Sequence, residues 1–175
     1  AFQGGKVQDA DSAEREAFVH RFGALPSLAS AAVTTLDEAS RIDVSSAGDG
    51  GAAVVWSAAR TDTAASILAT GGRTGGAVEL SSQQTLSRTN LAGVELGAGG
   101  RLLLDPTNIS VSATGGDTVA GSGGYGTTGD ASLNNGDIAT LLGAGTDVSL
   151  QAHHDISWTD GLTVTPSGAA GTLRL

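Results

Sequence analysis

Short apolar runs that alternate with small polar residues recur along this chain, and glycine-rich breaks separate them. Glycine pairs supply the positive φ angles that tight turns need. Alternation over three to six residues is typical of half-buried strands. The pattern therefore predicts an all-β fold of many short strands from about residue 40 onward. The breaks lie at 48–51, 71–72, 75–76, 99–100 and 115–116.

Eleven runs fit the strand pattern. Their apolar residues fall on alternate positions, so that one face of each strand would be buried. The predicted strands are 41–45, 53–56, 66–70, 77–81, 93–97, 101–104, 108–113, 147–151, 155–158, 162–165 and 172–175.

The small size of most side chains narrows the choice of all-β architecture. The chain has 27 glycines, and aromatic residues make up only 3% of it. Sandwiches and closed barrels usually fill their cores with larger aromatic or branched side chains. A solenoid does not need them, because each coil stacks small aliphatic residues on those of neighbouring coils. The composition favours a parallel β-helix, and roughly 20–25 residues per coil would give about seven coils.

The first 30 residues differ from the rest and are predicted to be a cap or an irregular, partly helical segment. All three phenylalanines of the chain lie here, at Phe2, Phe18 and Phe22. The spacing of Phe18 and Phe22 places both on one face of a helix predicted over 12–22. We expect the three phenylalanines to make cap or assembly contacts, and residues 31–175 to form the coils.

A second departure from the strand pattern, near residues 114–133, is predicted to be a loop that protrudes from the rod. Its main part, 117–133, is rich in glycine, serine and threonine. Tyr125 is its only aromatic residue and is a candidate surface contact. A plain connector is the simpler interpretation, because segments of this composition commonly only link elements.

Charge and cysteine content exclude several kinds of partner. Lys plus Arg is 9 and Asp plus Glu is 18, which gives a formal net charge of −9. So acidic a surface repels nucleic acid and anionic membranes, and neither is predicted as a partner. No apolar run approaches the ~20 residues that span a bilayer, so membrane insertion is not predicted either. Without cysteine, the chain has no disulfide and no thiolate metal site.

Five segments occur in an order that resembles a known family. They are 48–56 (GDGGAAVVW), 65–72 (ASILATGG), 75–81 (GGAVELS), 99–109 (GGRLLLDPTNI) and 145–158 (GAGTDVSLQAHHDISW). The succession resembles the filamentous-haemagglutinin-like exoproteins of two-partner secretion systems. The stretch FQGGK near the start is also similar to what precedes these motifs in that family, so the resemblance covers nearly the whole chain.

The resemblance implies a right-handed parallel β-helix that is one segment of a much longer rod. It also implies export through the outer-membrane transporter of the secretion partner, and a secreted or cell-surface location on a Gram-negative bacterium. The implied activity is non-catalytic adhesion or aggregation. The partner would be a glycan or protein of a host or bacterial surface, or another copy of the chain, and no cofactor is implied.

The triplet of His153, His154 and Asp155 is the most distinctive candidate site. Two imidazoles beside a carboxylate can hold zinc or exchange protons. Neighbouring strand residues point to opposite faces, however, so the two imidazoles are not expected to converge. We predict a coil corner here, with both histidines as possible surface contacts and no metal.

Two tryptophans, Trp56 and Trp158, end predicted strands and are further candidate surface contacts. Together they would offer a stacking platform for sugars. The simpler interpretation is that each indole covers an apolar edge of the core.

Aspartates near the predicted corners bear on two other possible functions. If they align with arginines in one groove, the chain would be a β-helix enzyme that acts on polysaccharides. If they only bond to turn amides, as we predict, no catalytic residue is expected. A self-assembling filament is the other alternative, since an uncapped rod presents unpaired backbone to the next molecule. The aspartates are Asp43, Asp49, Asp105, Asp117, Asp130, Asp137, Asp147, Asp155 and Asp160, and the arginines are Arg60, Arg73, Arg88 and Arg101.

Overall fold

The computed structural model describes residues 30–87, 91–115 and 130–175, and most of the regular structure in these ranges is β-strand. A 3₁₀ turn covers Leu91–Gly93, and a helix, α1, covers Asn135–Gly143. The strands are β1 (Val33–Leu36), β2 (Arg41–Asp43), β3 (Ala52–Ser57), β4 (Arg60–Thr63), β5 (Ser66–Leu68), β6 (Ala77–Ser82), β7 (Thr85–Ser87), β8 (Val94–Glu95), β9 (Arg101–Asp105), β10 (Asn108–Ser112), β11 (Asp130–Asn134), β12 (Asp147–Leu150), β13 (Ile156–Trp158) and β14 (Leu173–Arg174).

The strands stack in parallel to form the sides of a coil. The longest stack is a five-stranded sheet in the order β14-β12-β9-β6-β3. Three three-stranded sheets complete the coil, in the orders β2-β5-β8, β1-β4-β7 and β11-β10-β13. All assigned strand pairs are parallel. The chain is thus an all-β parallel β-helix of about five turns, and the predicted fold class is confirmed, while its handedness stays a prediction.

Aliphatic side chains stack inside the coil and form its core. Val55, Leu80, Leu104 and Leu150 occupy successive strands of the five-stranded sheet in register, and all are buried. Full burial of a leucine stabilises the fold by about 1.5–3 kcal/mol. The alternating apolar residues therefore form the buried core that the sequence pattern predicts. The buried side chains of this core in the described residues are all aliphatic.

The register between coils repeats at first about every 25 residues. Ala52 pairs with Ala77, and Ala77 pairs with Arg101. Arg101 then pairs with Asp147, nearly twice as far along the chain. An insertion therefore lengthens this coil, and it is one reason why the structure has fewer than the seven coils predicted.

The insertion adds a strand on one side of the coil and a helix on another. β11 pairs with β10 on the side opposite β13 and also contacts β7, so it lies between two successive coils. On the long sheet, by contrast, β9 and β12 remain direct neighbours. The predicted loop is therefore wrong for residues 130–133, which belong to β11. Ala131 and Leu133 are fully buried there, because this short run supplies two inward side chains.

Helix α1 is not predicted from the sequence, although its signals are present. The Asn134 side chain accepts a hydrogen bond from the Gly136 amide and caps the helix. Ile138, Leu141 and Leu142 are buried on one face at helical spacing. The asparagines and glycine that begin the helix resemble a turn, and that resemblance hides the apolar periodicity.

Some other predicted elements differ from the structure. The strand predicted over 162–165 is wrong, since no strand is assigned there, although Leu162 and Val164 pack against the core. Strands β1, β4 and β7 are not predicted, because polar residues make up at least half of each strand. Thr61 of β4, for example, is fully buried and donates a hydrogen bond to the Ser81 carbonyl oxygen, 2.8 Å away.

Several predictions fall on residues outside the described ranges. They concern Phe2, Phe18, Phe22, the helix over 12–22, and Tyr125. Among the described residues, no helix is both long and apolar enough to cross a bilayer.

Candidate functional site

One outward-facing column of the long sheet brings together an indole, a hydroxyl and a carboxylate. Trp56 of β3 pairs with Ser81 of β6, which in turn pairs with Asp105 of β9. Because Val55, Leu80 and Leu104 point into the core, the residues that follow each of them point outward. We call Trp56, Ser81 and Asp105 the polar column.

A second carboxylate, that of Glu79, lies beside the polar column. It precedes Ser81 by two residues and therefore faces the same side of β6. The Ser81 hydroxyl donates a hydrogen bond to Glu79 Oε1 over 2.6 Å, and Glu79 is only 5% exposed. Burial of this kind requires a charged group to be paired, and the serine supplies part of that pairing.

Asp105 is also buried, with 7% of its surface exposed. Burial raises the pKa of the Asp105 carboxyl above its ordinary value, and the His153 imidazole acts in the opposite direction. The sequence places Asp105 at a coil corner as a turn residue, whereas the structure places it at the end of β9 with its side chain largely buried.

The two tryptophans do not form a shared platform. Trp56 belongs to the polar column of β3, and its Nε1 is buried without a hydrogen-bond partner among the described residues. Trp158 lies in β13 in register with the inward-facing Val111, and it packs against the core. Its indole N–H donates to the Asp160 carbonyl oxygen. The structure thus matches the simpler interpretation for Trp158 and leaves Trp56 as the candidate for a surface contact.

The histidine pair lies at a bend after β12, as the corner interpretation predicts. The His153 amide donates to the Pro106 carbonyl oxygen, and the His154 amide donates to that of Thr107. Both histidines are exposed. No group of three or more histidine, aspartate or glutamate residues able to hold a metal ion occurs in the described part of the chain.

Other aspartates bond to backbone amides, which is the role that we predicted for them. Asp43 accepts from the Ser45 amide and Asp147 from the Thr172 amide. These bonds lower the pKa of both carboxyls, and Arg41 and Arg174 respectively add to the effect.

The Asp160 carboxylate accepts a hydrogen bond from the Ala113 amide over 2.8 Å. This bond links the residues after β13 to the turn after β10. Two of the four arginines considered for an enzyme groove, Arg73 and Arg101, lie apart from Asp105. Arg73 pairs with Asp49 at 2.9 Å, and Arg101 lies exposed at the start of β9, away from Asp105 at its end.

The fold defines the class of this protein as a β-solenoid. Comparison with protein-family models, with curated proteins and with solved structures finds no match for the chain. Sequence reasoning missed Glu79 and Ser81 as site residues. One signal was available in the sequence. Ser81 occupies, in its own strand, the position that Trp56 occupies in the preceding strand.

Proposed function

We propose that this chain is a non-catalytic rod segment of a secreted or cell-surface exoprotein that mediates adhesion or aggregation. The proposal includes the resemblance to filamentous-haemagglutinin-like proteins, with export by an outer-membrane partner from a Gram-negative bacterium. The observation that carries it is the five-stranded parallel ladder, whose end strands β3 and β14 each pair with one other strand of the described residues. Such a ladder extends a surface by adding coils, and it needs no chemistry to do so.

The exposed surface supports contact more than catalysis. Its charged groups include isolated pairs, such as Arg41 with Asp43 and Arg73 with Asp49, in which the side chains are largely exposed. Pairs of this kind contribute little to stability but leave charge available to a partner. A net charge of −9 favours a neutral or basic receptor over an acidic one.

The proposal is tested by binding the fluorescently labelled chain to Gram-negative bacteria and to host epithelial cells. We expect saturable binding to at least one cell type, and competition by an excess of unlabelled chain. Linear, non-competed binding to every cell type would contradict the proposal.

A second candidate is a filament in which copies join end to end. Its supporting observation is the outer edge of each terminal strand, to which no strand of the described ranges pairs. The Ala77 amide donates to the Gly51 carbonyl oxygen, so the amides of Ala52, Val54 and Trp56 point away from β6 toward the open end. Neither end of the ladder is covered by another described strand.

Proline at position 54 tests the filament directly. Val54→Pro removes a backbone N–H that donates no hydrogen bond to another described strand. The substitution therefore leaves the hydrogen bonds between β3 and β6 intact. If filaments of uniform width form with the unchanged chain and not with Val54→Pro, end-to-end assembly is supported. If light scattering gives a particle of 17.1 kDa at every concentration, the filament is excluded.

A further inference from the structure

Part of the outer face of the long sheet is buried, although residues on that side of a coil ordinarily meet solvent. Glu79 and Ser81 alternate with the core residues Val78 and Leu80, so their side chains point outward. Glu79 is nevertheless only 5% exposed, and Ser81 only 1%. Asp105, in register with Ser81, is only 7% exposed. Carboxylates are seldom buried to this extent, so this face requires a cover.

The strands around this face do not provide the cover. β6 contacts β3 and β9 within its own sheet, and β4 and β7 on the adjoining side of the coil, while α1 packs against β11 and β12. Val54 pairs with Glu79 and faces the same way, yet it remains 42% exposed. Membership of the sheet therefore does not by itself bury an outward side chain, which points to a part of the chain outside the described ranges.

We propose that residues 1–29 dock on this outer face and cover Glu79, Ser81 and Asp105. The interaction surface is thus one side of the solenoid, and its partner is the first segment of the same chain. The open edge of β3, on which end-to-end assembly depends, is a different surface. The inference is independent of adhesion, because it needs no receptor.

The path of the chain favours this segment over the others. The Ala58 amide donates to the Ala31 carbonyl oxygen, so Ala31 stacks on the turn that follows β3. Chain that precedes Ser30 therefore reaches the coils beside the long sheet. Residues 116–129 instead connect β10 with β11, which pair with each other in a different sheet, and residues 88–90 are too few to cover three side chains.

The charges of the segment suit the buried carboxylates. A buried carboxylate requires a partner with positive charge or a hydrogen-bond donor, and the segment contains Lys6, Arg15 and Arg21. Burial raises the pKa of the Asp105 carboxyl, while the His153 imidazole and the positive charge of the amino terminus lower it. The influence of the amino terminus agrees with docking of the first segment on this face.

The apolar residues of the segment suit the same face. Trp56 and Leu103 are half-buried on its outer side, and the indole Nε1 atom is fully buried. The sequence predicts Phe18 and Phe22 on one face of a helix, where both rings are available to pack against such side chains.

The first test is a photo-cross-link within the full chain. Lys6 is the only lysine, so a succinimidyl diazirine label reacts at its side chain and at the amino terminus, both within the segment. We expect irradiation to join the label to residues of β6 or β9, identified by mass spectrometry of the digest. A mixture of isotopically light and heavy chains shows whether one copy or two are joined. Cross-links only to other strands, cross-links only between copies, or none at all would overturn the proposal.

Quenching of Trp56 fluorescence by acrylamide is the second test, in a Trp158→Phe background that leaves Trp56 as the only tryptophan. Phe18→Ala combined with Phe22→Ala should raise the quenching constant at least about twofold, because a loosened cover admits the quencher to the indole. Tyr125→Ala is the matched control, since it removes an aromatic ring outside the segment. An unchanged constant in the phenylalanine variant, or a rise only with Tyr125→Ala, would contradict the proposal. If these variants do not fold, the cross-link in the unchanged chain decides.

Discussion

Gly76 lies against Gly51 of the preceding coil so closely that a Cβ on Gly76 would overlap the Gly51 carbonyl oxygen. The same two backbones are hydrogen-bonded, since the Ala77 amide donates to that oxygen. The glycine is therefore required by the approach of two coils, and this contact explains why glycine pairs separate the strands.

Replacing Gly76 should destabilise the fold strongly. Gly76→Ala forces two coils apart at backbone atoms that cannot move aside, and we expect a loss of about 3 kcal/mol or more. Gly168→Ala is the matched control, because a Cβ there meets no atom within 4 Å, and its effect should stay within about 1 kcal/mol. Urea unfolding of both variants measures the difference, and equal midpoints would contradict the coil contact.

The stacked core predicts a contrast between Leu104 of the long sheet and the exposed Leu175 that follows β14. Leu104 is fully buried, so Leu104→Ala should cost about 2–5 kcal/mol through lost burial and the cavity left behind. Leu175 is 73% exposed, and Leu175→Ala should cost less than about 0.5 kcal/mol. Chemical denaturation tests this, and a small loss at Leu104 would show that the columns do not stack as described.

The Asn134 side chain makes two kinds of hydrogen bond, and different substitutions remove them separately. Its side-chain oxygen caps α1, and its Nδ2 donates to the carbonyl oxygens of Ala113 and Gly115. Asn134→Asp keeps the cap and loses the donor, whereas Asn134→Ala loses both. We expect the alanine variant to lose about 1 kcal/mol more than the aspartate variant, which is the usual value of a cap. Unfolding free energies measured side by side provide the test, and equal losses would show that the cap contributes nothing.

Two aspartates of the long sheet should respond to pH with opposite signs. The raised pKa of Asp105 means that the unfolded chain releases this proton first as the pH rises, so its ionisation favours unfolding. Asp105→Asn should therefore gain stability relative to the unchanged chain between about pH 4, the ordinary carboxyl value, and the raised pKa. The gain should then level off.

The pKa of Asp147 is lowered by the Thr172 amide and by Arg174, so the folded chain keeps this carboxyl ionised to lower pH. Its contribution to stability is present above the ordinary carboxyl pKa and is lost as the pH falls through the lowered value. Asp147→Asn should accordingly be less stable than the unchanged chain near pH 7, with a difference that shrinks on acidification. Urea titrations at pH 3 and pH 7 compare both variants, and differences of the same sign would contradict the assignment.

The insertion should bend the rod. β11 adds one strand spacing, ~4.8 Å, between β7 and β10, while β9 and β12 stay adjacent on the long sheet. Coils before and after it therefore splay apart on the β11 side. Small-angle X-ray scattering of the chain should fit a bent particle better than a straight one of equal length, and an equally good fit to the straight particle would count against the bend.

The sequence predicts the fold where apolar alternation alone decides the structure. Val78 with Leu80 and Leu102 with Leu104 show the period of two, and both pairs form the core of the long sheet. Strand β4 escapes prediction because its inward residues are threonines whose hydroxyls are satisfied by bonds that only the assembled coils provide. The bond that Thr61 donates to the Ser81 carbonyl oxygen of the next coil, at 2.8 Å, is one of them.

The candidate site was less predictable for a related reason. Trp56 is identified from its residue type, but Ser81 and Asp105 join it only through the register between coils. Register depends on residues about 25 positions apart, and a degenerate repeat does not reveal it. The burial of Asp105 likewise depends on tertiary packing, which local composition does not encode.

The central claim is that the folded stack of coils is itself the adhesive surface. The most direct measurement is the half-saturating concentration for cell binding of labelled Gly168→Ala and Gly76→Ala, each added to the same bacteria and host cells. The account predicts saturable binding by the folded Gly168→Ala chain and its loss in Gly76→Ala at a temperature where circular dichroism shows the latter unfolded. Equal binding by both variants would contradict the claim, because the coils would then be unnecessary for adhesion.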